Sequence, residues 1–205
     1  RRIAMTKFSN AGQMCVAPDY LLVHDSVKEK LVEALKASAL KFFSDKPEES
    51  YSYGKIINEK QFNRITGYLS QGKIVYGGRT NKEKLFIEPT ILTNVSLEAS
   101  VMRDEIFGPV LPVITYDTIE VAKQVIARHP NPLAFYIYTS DKKKEKEWLE
   151  AVAFGGGCVN NASWHLTNHH LPFGGRGASG TGNYHGKYSF ETFSHRKAIM
   201  KTPAW

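Results

Sequence analysis

Cys15 is the residue whose type and setting most directly suggest chemistry. It lies within residues 10–19, which read N-A-G-Q-M-C-V-A-P-D. Apolar residues upstream could line one face of a short helix, and Gly12 suits the left-handed turn that often ends a helix. A thiol just beyond such a turn is accessible, and a thiolate is a strong nucleophile. A free cysteine among apolar neighbours can equally be a small buried hydrophobic residue, so both interpretations remain open at this point.

Two other patterns resemble a dinucleotide-binding motif and a metal site, but the surrounding residues do not fit either one. Residues 175–180 read G-R-G-A-S-G and match the dinucleotide-binding pattern G-x-G-x-x-G. No clear strand precedes them and no acidic residue follows about 20 positions later, so we expect an ordinary loop. Histidines are frequent in the last third of the chain, but none has the spacing of a recognised metal site, and we expect no metal. These histidines are His165, His169, His170, His185 and His195.

Composition and charge are those of an ordinary globular domain. Of the 205 residues, 42% are hydrophobic and 23% are charged. No apolar run approaches the roughly 18 residues that a membrane-spanning helix needs. The formal net charge is +7, but the densest basic run, residues 142–144, is followed by three glutamates, which favours a solvated helix face over a nucleic-acid site. From the chain length we expect one domain. Two cysteines without CxxC spacing argue against a disulfide framework, so we expect a reducing, cytoplasmic compartment.

Short apolar strands alternate with amphipathic helices along the chain, which is typical of an α/β protein whose mostly parallel sheet is covered on both faces. The last stretch, residues 188–200, lacks a helical stripe and is expected to be extended. The expected strands are residues 20–24, 73–76, 86–92, 110–115, 133–139 and 158–160. The expected helix starts are a capping box at residues 26–29, Asn58, residues 117–120 and Ser140.

Several stretches resemble motifs of the aldehyde dehydrogenase superfamily, in family order and at family-like spacing. The nucleophile motif is similar to residues 8–20, F-S-N-A-G-Q-M-C-V-A-P-D-Y, whose second half looks most like the class 3 branch that acts on fatty and aromatic aldehydes. The other stretches are D-E-I-F-G-P-V-L-P at 104–112, L-P-F-G-G at 171–175, G-A-S-G at 177–180, Y-H-G-K at 184–187 and S-F-E-T-F-S-H at 189–195. The resemblance covers essentially residues 1–201.

The resemblance implies a cysteine mechanism with NAD or NADP as the cofactor. The Cys15 thiolate would attack the aldehyde carbon, the resulting thiohemiacetal would pass a hydride to the nicotinamide, and water would cleave the thioester that remains. The Cys15 N–H would help to hold the oxyanion. Glu105 would bind the nicotinamide ribose, Phe107 would position the cofactor, and Phe173 would lie near the substrate. Without the resemblance, Glu105 would be read as a solvated carboxylate, Phe107 as a core residue and Phe173 as part of a packed turn.

The resemblance also implies a domain organisation and partners. Residues 1–187 would be the catalytic domain, a three-layer α/β/α structure. Residues 188–205 would be a C-terminal oligomerisation strand and tail that joins a homodimer. The family's N-terminal NAD-binding domain and its general-base glutamate motif are absent from these residues, so the chain alone is expected to turn over little aldehyde.

Two alternative functions remain open from the sequence. A cysteine acyl hydrolase would use Cys15 with His165 or His185 as the base. A non-catalytic assembly module would use only the C-terminal strand, and Cys15 would then have no role in turnover.

Overall fold

The strands form one larger sheet and two separate strand pairs in residues 1–204, the part of the chain that this computed structural model describes. The strands are β1 (Leu21–His24), β2 (Lys73–Tyr76), β3 (Thr80–Asn81), β4 (Phe86–Ile87), β5 (Thr90–Thr93), β6 (Val110–Tyr116), β7 (Ala134–Ile137) and β8 (Gly156–Val159). The larger sheet has the order β1–β6–β5–β2. β6 is parallel to both β1 and β5, and β2 is antiparallel to β5. β7 and β8 form a parallel pair, and β3 and β4 an antiparallel one.

Helices are interleaved with these strands, so the predicted α/β class with a mostly parallel sheet is confirmed. The helices are α1 (Arg2–Phe8), α2 (Lys28–Phe43), α3 (Glu59–Thr66), α4 (Ile119–Ala127), α5 (Lys142–Ala151), α6 (Trp164–Thr167) and α7 (Lys187–Thr192). Within the described residues, no helix is both long and apolar enough to cross a membrane.

β6 is one of the two inner strands of the larger sheet, and its sequence, VLPVITY, is largely apolar on both faces, as parallel strands between layers require. Its first five residues are buried. Pro112, which has no N–H to donate, lies where the pairing changes: β5 pairs with residues 110–112 and β1 with residues 113–116. The surrounding core joins this strand to the apolar faces of α1, α2 and α3.

Two predicted helix starts are wrong in detail, although the helices exist. Ser26 does not cap α2; a 3-10 turn, Asp25–Val27, precedes that helix, and the His24 ring accepts the Ser26 N–H at 3.3 Å. Asp141, rather than Ser140, caps α5, because its carboxylate accepts the N–H groups of the first turn of the helix. The Asn58 cap of α3 is confirmed, with its side chain accepting from the Gln61 N–H at 2.9 Å.

The C-terminal segment differs from the prediction in its first part. Residues 188–192 belong to helix α7 rather than to an extended strand, because each turn closes with local backbone hydrogen bonds such as Phe193 N–H to Ser189 O at 3.1 Å. From residue 194 to residue 204 the chain is irregular and exposed. Trp205, the last residue of the predicted tail, lies outside the described residues.

Candidate active site

A tight turn carries Cys15. After α1, residues 10–12 all have left-handed backbone, with φ between 51° and 72°, which reverses the direction of the chain. The next turn is closed by the Ala17 N–H, which donates to the Met14 carbonyl at 3.0 Å. Cys15 occupies the second position of this turn and is an exposed free cysteine. Its side chain is therefore accessible rather than buried.

Gln13 anchors the chain immediately before this turn. Its side-chain amide nitrogen donates to the Asn10 carbonyl at 3.0 Å and to the Lys55 carbonyl at 2.9 Å. Its amide oxygen accepts the Ile57 N–H at 3.0 Å. Because both ends of the amide are satisfied, Gln13 fixes the entry to the turn against a segment more than 40 residues away in sequence.

The turn packs directly against the loop that contains Glu105 and Phe107. A Cβ atom on Gly12 would lie only 2.2 Å from the Gly108 carbonyl oxygen, so the two backbones meet where Gly12 has no side chain. On the other side of the turn, the Asp19 carboxylate accepts the Ile106 N–H at 2.9 Å. Both flanks of the cysteine turn are therefore attached to the same loop.

Arg64, on α3, holds this loop from the opposite direction. Its guanidinium donates to the Glu105 carbonyl at 3.2 Å and to the Ile106 carbonyl at 2.6 Å. A further N–H donates to the Tyr68 hydroxyl at 2.8 Å. Phe107 has φ +46° and is 40% exposed, so an unfavourable backbone conformation presents its ring to solvent.

Three ionisable groups at this loop influence one another electrostatically: Glu105 on the loop itself, and Lys7 and Asp19 next to it. Lys7, on α1, is buried, and burial lowers its pKa to about 8 although Asp19 and Glu105 oppose the shift. Burial raises the pKa of Asp19, against the effects of Lys7 and the Ile106 N–H. Burial also raises the pKa of Glu105, and Asp19 raises it further. The Glu105 carboxylate is thus electrostatically linked to the segments on both sides of Cys15.

Phe173 lies in a different set of contacts. It is 6% exposed, pairs through its backbone with Tyr184 at 2.9 Å, and stacks on the His185 ring with centroids 5.4 Å apart. The same aromatic cluster includes His165, whose ring centroid is 6.0 Å from that of Phe173. A cavity of about 430 Å³ lies beside Phe173 and is lined mainly by the glycine-rich residues 174–183.

The second cysteine, Cys158, lies on β8 and is partly buried. Its sulfur is 3.6 Å from His165 Nδ1. Burial lowers the pKa of His165, and its Nε2 atom is buried without a hydrogen-bond partner within the described residues. The His165 imidazole is therefore paired with Cys158, and the His185 ring stacks on Phe173, so neither histidine that the acyl-hydrolase alternative names has a hydrogen bond to Cys15 among residues 1–204.

The structure brings the predicted residues Cys15, Glu105 and Phe107 onto adjoining loops. The contacts of Phe173 are instead with residues that follow β8, namely His165, Tyr184 and His185. Sequence reasoning missed four residues that hold these loops. Lys7 had a signal, since it lies four residues after Ile3 on the apolar face of α1. The four residues are Lys7, Asp19, Arg64 and Tyr136, whose hydroxyl donates to the Val16 carbonyl at 2.7 Å. Within residues 1–204, no group of three His, Cys, Asp or Glu side chains could hold a metal ion.

Comparison with known proteins identifies the family. The sequence profile described as "Aldehyde dehydrogenase family" matches residues 1–199, and the chain belongs to this family. It is 45% identical over 201 residues to a 4,4'-diaponeurosporen-aldehyde dehydrogenase of Staphylococcus aureus, covering 97% of this chain and 44% of that protein. It is 44% identical over 203 residues to a Bos taurus "Aldehyde dehydrogenase, dimeric NADP-preferring", covering 99% of this chain and 85% of that sequence.

A solved structure agrees with these sequence matches. The substrate-bound state of Staphylococcus aureus AldH superposes with a TM-score of 0.92 at 41% identity, over 98% of this chain and 46% of that one. The chain thus spans less than half of this structure and of the first relative.

Proposed function

We propose that these residues are the nucleophile-bearing part of an NAD(P)-dependent aldehyde dehydrogenase that oxidises aldehydes to carboxylic acids. The observation that carries the proposal is the exposed Cys15 on a turn that packs directly against the Glu105–Phe107 loop. The family membership and the NADP preference in the name of the bovine relative support the reaction class and the cofactor class.

The residues of this chain fit the roles that the reaction needs. The Cys15 thiolate forms a bond to the aldehyde carbon, and the carbonyl electron pair moves to the oxygen. The Cys15 N–H has no acceptor within residues 1–204, so it can donate to that oxyanion. Loss of hydride from the same carbon gives a thioester at Cys15, and water then releases the acid and the thiol.

The nicotinamide cofactor, when bound, supplies the hydride acceptor. The side chains of the loop suit this cofactor. Glu105 has an exposed carboxylate that can accept hydrogen bonds from ribose hydroxyls, and Phe107 has an exposed flat ring. Arg64 and Asp19 hold the backbone between these two side chains. We propose that the general base and the rest of the cofactor site lie upstream of these residues. We also propose that the enzyme is cytoplasmic, because a free thiol stays reduced in that compartment.

The two cysteines provide a matched test in the full-length protein that contains this chain. Cys15→Ala is expected to lower the rate of aldehyde-dependent NAD(P)H formation by at least about 10³-fold, because the covalent step is lost. Cys158→Ala is expected to retain the activity. A stalled acyl group on the Cys15 peptide, identified by mass spectrometry after reaction at low pH, would locate the intermediate. Unchanged turnover in Cys15→Ala would refute the proposal and favour the assembly-module alternative.

A further inference from the structure

The Val16 carbonyl, in the turn that carries Cys15, is held by a side chain of β7. Tyr136, on β7, donates its hydroxyl to the Val16 carbonyl at 2.7 Å across 120 residues of sequence. Val16 follows Cys15 in the turn closed by Ala17 and Met14, and its side chain is 1% exposed. The hydrogen bond therefore fixes the peptide unit between Val16 and Ala17, one residue beyond the cysteine.

The Tyr136 phenol is suited to remain a donor. Burial is the main cause that raises the pKa of Tyr136, and the Cys158 and Cys15 side chains raise this pKa further. The Ser163 backbone N–H opposes this shift. The hydroxyl thus stays protonated at working pH and lies between the Cys15 turn and the start of α6.

We propose that Tyr136 is a positioning residue for Cys15, acting through its hydrogen bond to the Val16 carbonyl. Gln13 fixes the turn before the cysteine and Asp19 fixes the chain after it, but neither contacts the turn peptide itself. Tyr136 supplies that third attachment. It therefore holds the direction of the Cys15 thiol and N–H relative to the Glu105–Phe107 loop. This inference rests on the proposed function.

The test compares three variants of the full-length protein. Tyr136→Phe removes only the hydroxyl, and Tyr138→Phe makes the same change just after the end of β7, at a side chain without a hydrogen bond among residues 1–204. The third variant carries 4-aminophenylalanine at position 136, which keeps a donor at the same place. The readouts are kcat, both KM values, and the rate of Cys15 alkylation by iodoacetamide from pH 6 to 10. Peptide mass analysis separates Cys15 from Cys158.

Tyr136→Phe is expected to lower kcat by about tenfold or more, since small misplacements of reacting groups cost this much. The cofactor KM should stay within about twofold, because the Glu105 loop keeps its own attachments. The Cys15 alkylation profile should change as well, whereas Tyr138→Phe and the aminophenyl variant should match the wild type. A merely structural contribution would lower stability without altering the alkylation profile of the folded protein.

Wild-type kcat and alkylation in folded Tyr136→Phe would overturn the inference. If that variant does not fold, the aminophenyl variant decides: wild-type values support the donor role, and a loss of kcat despite the retained donor refutes it. The proposed function is tested separately, because a wild-type protein without aldehyde oxidation would refute it while the alkylation rates still report on Tyr136.

Discussion

Replacement of Gly12 tests the contact between the cysteine turn and the Glu105–Phe107 loop. A methyl group at this position would lie 2.2 Å from the Gly108 carbonyl oxygen, about 1 Å closer than an ordinary contact of 3.4 Å. The obstructing atoms are backbone and cannot rotate away. Gly12→Ala must therefore push the two loops apart by roughly that distance.

The energetic cost has two separable parts. Gly12 has φ +72°, and an L-residue in a left-handed conformation costs about 1–2 kcal/mol. Overpacking against backbone adds about 1–3 kcal/mol. Gly182 has the same φ of +72°, but no atom of residues 1–204 beyond its chain neighbours lies within 4 Å of an added Cβ. Gly182→Ala therefore measures the conformational cost alone, and the difference between the two variants isolates the clash.

The assay is urea unfolding of the full-length variants, followed by initial rates of aldehyde oxidation. Gly12→Ala is expected to lose about 2–5 kcal/mol of unfolding free energy, and about 10²-fold in kcat because the loops separate. Gly67→Ala is the control for both readouts, because Gly67 has negative φ and its added Cβ would meet nothing within 4 Å in the described part of the chain. A Gly12→Ala protein as stable as Gly182→Ala, with wild-type kcat, would refute the close packing of these loops.

Two further predictions concern a buried charge and the C-terminal segment. Because burial lowers the pKa of Lys7 from 10.5 to about 8, the folded protein releases this proton between pH 8 and 10.5 while the unfolded chain still binds it. The free energy of unfolding should rise with pH across that window, and Lys7→Met should remove the rise in urea titrations; an identical pH profile in both proteins would contradict the burial. Deletion of residues 191–205 should convert a dimer to a monomer in size-exclusion chromatography, since Phe193, Ile199 and Met200 are exposed apolar side chains that a partner strand would cover; an unchanged elution volume would count against this role.

Local sequence patterns predicted most elements but not their ends. The apolar run of β6 and the Asn58 cap could be found because they depend on nearest neighbours. Ser26 failed as a cap because the His24 ring, two residues earlier, accepts its N–H and starts a 3-10 turn instead. Helix α7 was missed because six residues without a buried face give no periodic apolar signal.

The sequence by itself determined the family motifs, the order of strands and helices, and the identity of the residues with reactive groups. It placed Cys15 on a turn because Gly12 and its neighbours encode one locally. Only the tertiary structure decided that this turn meets the loop around Ile106, that Lys7 is buried beneath it, and that Tyr136 reaches the Val16 carbonyl. These contacts join residues about 90 to 120 positions apart, and such pairs leave no trace in local periodicity because sheet and core packing alone bring them together.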